Sequence, residues 1–570
     1  MLNFRKIFLC LLIFSIFTPP VLHRTNLKLA FSNYELTFED LENKHTIWKD
    51  ALKILAIPRC FKKENAAAEI IIEELQGLNF EVLAEGSIEN AKTKPGFVGA
   101  VAVDAIGNVI AFYDPKGVRN QKAILLTSHL DMVCAPENRD WSQPIELYLD
   151  KENDGKYYLK AKGSSLGADD GVGVATMLWL IKELFNKKID DICIEMAFTV
   201  DEEFGMSGAK NLDMSQFRAN KIITLDNMTI FEIIIGSAGV AGISVKETAK
   251  ENLMSIEQVD GTYIKIEIGG GQGGHSGIDI DKGRVNAIKL LIDLIHLIKT
   301  EYGQDVGIVY VNGGESAKSI PSRAYAILKL TGNKDEMKTD EMKTQIKYKI
   351  ILVLESINRE VEPNLKIEME ILQELPDNVK ELENINFSSN AVESLIKRLY
   401  AVDTTDVLSY IDGRPETCLN LGKIKGTKKS AYANFMERSL NFEHLKEIPT
   451  EFKDSMLAVK TEGANVQIDT WFGFAPWTPQ DNSELTGMVK KAALKVKDKK
   501  DSVVTTTMLG GLELTFFTHE KTNFYGQPFE AVDIGPTIYN THTIDERLEV
   551  ESMEEFTRWL WQIIKEFKKK

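Results

Sequence analysis

Three apolar segments of this sequence each end in a cluster of acidic or histidine residues. They are AILLTSHLDMV at 123–133, ICIEMAFTVDEE at 192–203 and IITLDN at 222–227. Each has the length and composition of a buried strand, and a helix pattern at 171–185 separates the first two. Strands that alternate with helices favour an α/β fold with a largely parallel central sheet. Because ligands bind beyond the carboxyl ends of such strands, we expect the three clusters to meet in one site.

The sequence pattern changes in the middle of the chain and later returns. A strand-like segment, the glycine-rich loop GGGQGGHSG at 269–277 and a long helix pattern at 286–299 open a different region. The α/β character resumes after about residue 472 and ends in a helix pattern at 552–567. A chain of 570 residues is expected to form more than one domain. We therefore predict one domain built from 34–239 and 473–570, with a second, α+β domain inserted at 240–472.

The N-terminus has the composition of a leader. Arg5 and Lys6 precede an almost wholly apolar stretch at 7–17, and two prolines follow. This pattern predicts a signal peptide or signal anchor at 1–33. We therefore expect a secreted or endomembrane/extracytoplasmic protein. A membrane tether is possible only through this leader. The stretch is short for a spanning helix, and no clear cleavage site follows it. A cytoplasmic protein with a chance apolar N-terminus is the alternative.

Charge and cysteine content argue against two classes of function. The net charge of −16 argues against a nucleic-acid partner, because an acidic surface repels phosphates. We also predict neither a disulfide framework nor a thiolate zinc site, because the cysteines are odd in number and form no CxxC pair. They are Cys10, Cys60, Cys134, Cys193 and Cys418.

The strand-end clusters carry the residue types of a metal site. His129 and Asp131 form an H-x-D pair whose side chains face the same side of a strand, so Asp131 can orient His129 as a ligand. Asp169 lies in the turn GADDGVG, and the two oxygens of a carboxylate can bridge two cations. Taken alone, each pattern is also typical of a surface pair or an ordinary acidic turn.

Glu202 and Glu203 are adjacent carboxylates at the end of a predicted strand. Because adjacent strand residues point to opposite faces, one can bind a metal while the other acts as a general base. Asp226 follows another strand, and His542 follows a glycine turn near the C-terminus. Together these residues suit two hard-to-borderline divalent ions, and the lack of cysteine ligands favours an open, catalytic site. A solvated acidic loop is the alternative for 201–203.

Seven strings of the chain fall in the order found in the aminoacyl-histidine dipeptidases, the Xaa-His or cytosol non-specific type of the co-catalytic two-zinc exopeptidases. They are SHLDMV, GSSLGADDGVG, TVDEEFGMSGA, LDN…GSAG, GGQGGHSG, ETCLNLG and DIGPTIYNTHTIDERL. The resemblance covers about residue 41 to the C-terminus. It implies a zinc-exopeptidase-type catalytic domain interrupted by an inserted α+β lid domain. It also implies a dipeptide substrate, two divalent ions (zinc, or alternatively manganese or cobalt) and a homodimer formed through the lid.

The resemblance assigns a role to each candidate in the catalytic domain. The implied metal ligands are His129, Asp169, Glu203, Asp226 and His542. Of these, Asp169 would bridge the two ions, and each histidine would bind one of them. Glu202 would be the general base, and Asp131 would orient His129. The peptide bond between Asp169 and Asp170 is expected to be cis.

Residues of the predicted lid are assigned to the substrate by the same resemblance. His275 would stabilise the oxyanion, in many relatives by reaching the site of a partner subunit, and Arg438 would hold a peptide carboxylate. Lys318 stands where the family has a substrate-binding asparagine. Leu509 and Arg59 stand where the family has histidines. These departures leave the preferred dipeptide open.

Two other functions remain as alternatives. Within the same chemistry, the chain could be an N-acyl-amino-acid deacylase or a tripeptidase. From a different class, it could be a non-catalytic binding protein on this fold. The presence of Glu202 argues against the second alternative, because a protein without catalysis needs no general base.

Overall fold

The computed structural model describes residues 36–569, except 85–86, 89–90, 92–95, 251–260, 332–335, 378, 381–389, 403–405, 462–463 and 498–502. The leader predicted at 1–33, with Cys10, lies outside the described residues. None of the described helices combines the length and the apolar composition needed to cross a bilayer.

The strands and helices are numbered in chain order. The strands are β1 (Glu81–Val82), β2 (Gly99–Val103), β3 (Val109–Tyr113), β4 (Ala123–His129), β5 (Leu147–Lys151), β6 (Tyr157–Ala161), β7 (Cys193–Thr199), β8 (Lys221–Thr224), β9 (Glu232–Ser237), β10 (Gly239–Ala249), β11 (Thr262–Gly269), β12 (Gly274–His275), β13 (Val306–Gly313), β14 (Ser319–Ile320), β15 (Ala324–Leu330), β16 (Lys366–Ile371), β17 (Val407–Ile411), β18 (Arg414–Thr427), β19 (Ser430–Ser439), β20 (Ala464–Phe474), β21 (Val504–Met508), β22 (Glu530–Asp533), β23 (Ile538–Tyr539) and β24 (Arg547–Glu549). The α-helices are α1 (Phe38–Lys44), α2 (Ile47–Leu55), α3 (Asn65–Gly77), α4 (Ala168–Asn186), α5 (Ser207–Asn211), α6 (Ala287–Tyr302), α7 (Glu336–Glu355), α8 (Ala391–Ala401), α9 (Phe442–Ala458), α10 (Glu484–Val496), α11 (Leu514–Thr518) and α12 (Val550–Lys568).

The first sheet has nine strands in the order β1-β2-β3-β7-β4-β8-β22-β9-β21. Five of its eight neighbouring pairs are parallel, namely β1/β2, β7/β4, β4/β8, β8/β22 and β9/β21. Every residue of β4 and β7 is buried, as expected for parallel strands covered on both faces. The predicted α/β fold with a largely parallel sheet is therefore confirmed. The carboxyl ends of β4, β7 and β8 lie side by side, and the three polar clusters follow them.

The second sheet is antiparallel and comes from the middle of the chain. Its strands run in the order β16-β11-β15-β13-β18-β19-β10-β20, and β17 pairs with β18. Helices α6, α8 and α9 pack on it through an apolar core that includes Leu291, Leu395 and Phe452. Its strands fall between Gly239 and Phe474, whereas the first sheet uses strands before and after this span. The predicted domain boundaries stay a prediction, which this separation of strands supports.

The expectation that the chain has no disulfide framework is wrong for one pair of cysteines. Cys60 and Cys134 form a disulfide, with their Cα atoms 5.5 Å apart. A parallel β-bridge between Cys60 and Met132 brings the two segments together, and the Met132 N–H donates to the Arg59 carbonyl at 2.9 Å. The partners are 74 residues apart, so their spacing in the sequence does not reveal the pairing. The other cysteines in the described part of the chain are buried free thiols: Cys193 and Cys418.

Candidate metal centre

His129 ends strand β4, and its two ring nitrogens face different acidic partners. Nε2 lies 3.1 Å from Asp169 Oδ1 and 3.4 Å from Asp226 Oδ1. Nδ1 lies 3.3 Å from Asp131 Oδ1, and the whole side chain is buried. Nε2 therefore faces the acidic cluster, and Asp131 lies behind the ring, where a carboxylate fixes the orientation of a ligating histidine.

Asp131 also holds the turn that follows strand β7. The backbone N–H groups of Glu202 and Glu203 donate to its Oδ1 and Oδ2 atoms at 2.9 and 3.1 Å. Strands β4 and β7 are parallel neighbours, so their ends lie side by side. One buried carboxylate thus positions both the His129 ring and the Glu202-Glu203 pair.

Asp169 has one carboxylate oxygen directed to each of the two histidines. Its Oδ1 lies 3.1 Å from His129 Nε2, and its Oδ2 lies 3.2 Å from His542 Nε2. The residue sits at the start of α4, and its peptide bond to Asp170 is cis, as expected. His542 Nε2 is also 2.9 Å from Glu203 Oε1. A carboxylate placed between two histidines in this way has the geometry of a bridging ligand.

Two groups of possible ligand atoms share Asp169. His129, Asp169 and Asp226 form one group, and Asp169, Glu203 and His542 form the other, with the atoms of each group within 4.8 Å of one another. A third group, His129 with Glu202 and Glu203, places Glu202 beside both positions. The structure therefore brings together all five residues predicted as ligands, and the predicted base. Their individual roles stay predictions.

The chemistry of this cluster fits divalent cations. Asp226 Oδ1 is buried and accepts no hydrogen bond within the described residues. Burial raises the pKa of Asp226 to about 7 and that of Glu202 well above its usual range. Repulsion from neighbouring carboxylates raises both pKa values further. Burial alone would lower the pKa of His542, but Asp169 and Glu203 raise it to about 11. A site with this excess of buried carboxylates is stabilised by cations.

Two residues that were given no role from the sequence hold the Asp169 turn in place. The buried Glu546 carboxylate accepts hydrogen bonds from four consecutive backbone N–H groups, at 2.8 to 3.3 Å, namely those of Leu166, Gly167, Ala168 and Asp169. Arg59 donates to the Gly167 carbonyl at 2.7 Å and to the Leu130 carbonyl at 3.0 Å. Arg59 thus ties the turn to the end of β4. The one sequence feature that could have indicated a role for Glu546 is its position in DIGPTIYNTHTIDERL, the string that contains His542.

Two further buried carboxylates surround the centre and were also missed. Asp533 Oδ1, at the end of β22, accepts the Asp226 N–H at 3.0 Å and so positions that ligand candidate. Glu513 accepts the Thr199 hydroxyl at 2.6 Å, and burial raises its pKa to about 8. Glu513 lies in the same segment as Leu509, where only the departure from the family had been noted.

The residues predicted to contact substrate form a second cluster. Arg438 Nη2 lies 3.1 Å from His275 Nε2, and Arg438 Nε donates to Ser276 Oγ at 3.0 Å. The Lys318 carbonyl accepts the Ser276 N–H at 2.9 Å. Within the described residues, no hydrogen bond or ion pair joins His275, Arg438 or Lys318 to the metal-ligand candidates. The chain thus presents an acidic cluster and, apart from it, a cationic cluster.

Leu509 joins the two regions of the chain through apolar contacts. It is buried in a small cluster with Ile280, Ile320, Cys418 and Leu440, all from the region of the second sheet. The Ala238 N–H beside it donates to the carbonyls of Met508 and Gly510 at 2.9 and 3.1 Å, which fixes this crossing point of the chain. Leu509 therefore serves packing here, where a histidine in its place would bring a polar ring.

A largely parallel α/β sheet with a buried His, Asp and Glu cluster at its strand ends is the arrangement of a metallopeptidase. Residues 125–566 match the model of Peptidase family M20/M25/M40, so the chain belongs to this family. It is accordingly a metallopeptidase hydrolase.

The relatives agree with the resemblance read from the motifs. The cytosol non-specific dipeptidase of Escherichia coli (strain K12) is 28% identical over 496 residues, which cover 85% of this chain and 93% of the relative. Among solved structures, aminoacylhistidine dipeptidase from Vibrio alginolyticus superposes with a TM-score of 0.69 at 24% identity, over 91% of this chain and 96% of that one. Aminopeptidase PepT from Bacillus cereus ATCC 10987 has a TM-score of 0.55 at 16% identity, over 93% and 99%. The two structures establish the shared fold.

Proposed function

We propose that this metallopeptidase hydrolyses the peptide bond of dipeptides with two zinc ions and Glu202 as the general base. The observation that carries the proposal is Asp169, whose two oxygens each face one histidine beside the half-buried Glu202. His129, Asp169 and Asp226 would hold one ion, and Asp169, Glu203 and His542 the other. Imidazole and carboxylate ligands without thiolates suit zinc, with manganese or cobalt as alternatives. When bound, the ions would polarise the scissile carbonyl and lower the pKa of the attacking water.

Glu202 is the residue placed to move the proton. Its backbone N–H is fixed by Asp131 at 2.9 Å, and its carboxylate lies beside His129 and Glu203 without being needed for either three-residue ligand set that shares Asp169. A carboxylate in this position, beside both ligand groups, is placed to accept a proton from the attacking water. Glu202 would take the proton of the attacking water and pass it to the leaving amine.

His275 has the form required of an oxyanion donor. Burial, with Arg438 beside it, lowers the pKa of His275 to about 4, so the ring is neutral at physiological pH. The backbone N–H groups of Gly277 and Ile278 donate to Nδ1 at 3.2 and 3.0 Å. The single ring proton therefore lies on Nε2, where Arg438 Nη2 is 3.1 Å away. Two donors converge at this point, as the binding of a charged oxygen requires.

Since no hydrogen bond or ion pair joins the two clusters within the described residues, we propose a site that is completed by movement of the lid or by a second subunit. Substrate bound at the acidic cluster would meet His275 and Arg438 through closure of the lid or through a homodimer partner. We propose the homodimer. Arg438 would then hold the carboxylate at the C-terminus of the dipeptide, because a guanidinium binds a carboxylate by two parallel hydrogen bonds.

A substrate panel tests the proposed function. The enzyme is loaded separately with zinc, manganese or cobalt and offered dipeptides (Xaa-His among them), tripeptides and N-acyl amino acids. We expect free amino acids from the dipeptides, with tripeptides and acylated amino acids cleaved more slowly. Faster cleavage of either rival class would reassign the function within the family. Binding without turnover of any compound would point to a non-catalytic protein.

We also propose that the protein is exported. The basic and apolar residues at 1–20 support a signal sequence, and the Cys60–Cys134 disulfide suits an oxidising compartment. Fractionation should place the protein outside the cytosol or on a membrane, and its mass without reductant should correspond to one disulfide. Soluble cytosolic protein with an intact Met1 and reduced cysteines would contradict export.

A further inference from the structure

Arg438 is a buried cation without an acidic partner. Arg438 is only 5% exposed; its Nε donates to the Ser276 hydroxyl, and its Nη2 lies 3.1 Å from Nε2 of the neutral His275 ring. No carboxylate pairs with it within the described residues. Because a buried charge is costly without a counter-ion, this guanidinium is suited to bind an anion, and one carboxylate of the substrate satisfies it.

Lys318 lies beside Arg438 on a loop whose backbone is fixed. Its carbonyl accepts the Ser276 N–H at 2.9 Å, and its own N–H donates to Ser316 Oγ at 3.2 Å. The buried Asn420 side chain donates to the carbonyls on both sides of Lys318, those of Ala317 and Ser319, at 2.9 and 2.8 Å. The loop therefore presents the Lys318 side chain from a fixed position.

The pairing of β12 with β14 brings the backbone of Lys318 beside Ser276, which contacts Arg438. Strands β12 and β14 are antiparallel with His275 opposite Ser319, so Ser276 stands opposite Lys318. The Ser276 hydroxyl accepts from Arg438 Nε, so one residue, Ser276, contacts both the Lys318 backbone and the Arg438 guanidinium. The ammonium of Lys318 lies near enough to His275 to contribute, after burial and Arg438, to the lowering of its pKa.

Lys318 is a second cation without an acidic partner among the described residues. The nearby carboxylate of Asp279 is already engaged by Lys282, Arg284 and the His275 N–H. A dipeptide with a neutral C-terminal side chain supplies one carboxylate, which Arg438 takes. Lys318 is exposed, so its ammonium is free to pair with a second carboxylate that a substrate carries near the first.

We propose that the site selects dipeptides whose C-terminal residue is aspartate or glutamate. Arg438 binds the α-carboxylate, and Lys318 binds the carboxylate of the side chain. This inference rests on the proposed dipeptidase function and names the substrate class of that site. The proposal also explains why this chain has a lysine where the family has an asparagine. An amide can hydrogen-bond a neutral substrate side chain, whereas an ammonium pairs with an acidic one.

Matched pairs of substrates test the selectivity. Ala-Glu and Ala-Gln differ by one charge at constant shape, as do Ala-Asp and Ala-Asn. We expect kcat/KM to favour the acidic member roughly tenfold, the scale of one charged hydrogen bond in a partly exposed site. In Lys318→Asn the ratio should fall to about one. In Lys318→Glu, Ala-Lys should be preferred to Ala-Gln.

Lys446→Asn is the matched control. It removes one lysine charge from α9 in the same region of the chain, over the Phe442 ring, and should keep the wild-type ratio. Ratios near one in the wild type, or a ratio unchanged in Lys318→Asn, would overturn the selectivity while leaving the dipeptidase proposal intact. Failure of the zinc-loaded enzyme to cleave any dipeptide would instead overturn the proposed function, and this inference with it.

Discussion

Glu202→Gln is expected to lower kcat for dipeptide hydrolysis by about 100-fold to 10,000-fold, the range for loss of a positioned general base. Glutamine keeps the shape of the side chain but cannot accept the proton of the attacking water. The Glu202 N–H still bonds to Asp131, so the turn should be retained. Steady-state kinetics, with metal content measured on the same sample, checks this expectation.

Glu203→Gln is the matched control for this substitution. It changes the neighbouring carboxylate, which lies 2.9 Å from His542 Nε2, and should weaken metal binding. The two variants should therefore fail for different reasons, one with a full metal complement and one without. If Glu202→Gln lost metal while Glu203→Gln kept it, the roles of the two residues would be exchanged.

His275→Ala is expected to lose kcat by roughly 100-fold to 1,000-fold, the scale for one oxyanion donor. The ring lies in the cationic cluster, apart from every metal-ligand candidate, so the variant should still bind two metals and fold normally. Substrate affinity should change less than kcat, because the hydrogen bond from Nε2 strengthens only as the carbonyl oxygen gains charge. Wild-type kcat in this variant would rule out the oxyanion role.

Mixing His275→Ala with Glu202→Gln subunits tests where His275 acts. If the histidine serves the partner's site, each heterodimer holds one site with both residues intact, and activity returns from two inactive proteins. If heterodimers form but remain inactive, His275 serves the site of its own chain. That result would favour lid closure over the proposed homodimer contact.

The candidate residues that the sequence could place together are those whose signal is local. The ends of β4, β7 and β8 could be predicted because apolar strands pass directly into polar residues, and parallel strands bring those ends together. The motif order then supplied the family. Each strand end and each motif is a short stretch of sequence that can be recognised by itself. His129, Asp169 and Asp226 could therefore be placed at one centre.

The contacts that were missed join residues far apart in the chain. Cys60 and Cys134 are 74 residues apart, and they meet because a β-bridge joins Cys60 to Met132. Glu546 binds a turn 377 to 380 residues earlier, and Asp533 positions Asp226 over a separation of 307. A buried carboxylate that accepts backbone hydrogen bonds leaves no periodic or spacing signal in the sequence, so such residues emerge only from the fold.

The number of zinc ions bound per chain, measured together with dipeptide turnover after chelation and reloading, tests the two-zinc mechanism. We expect no turnover in the metal-free protein, two ions per chain on full recovery, and loss of both positions in Asp169→Asn, because both groups proposed to hold an ion use this carboxylate. Full turnover in the metal-free protein would contradict the account. So would an Asp169→Asn variant that binds two ions with wild-type affinity.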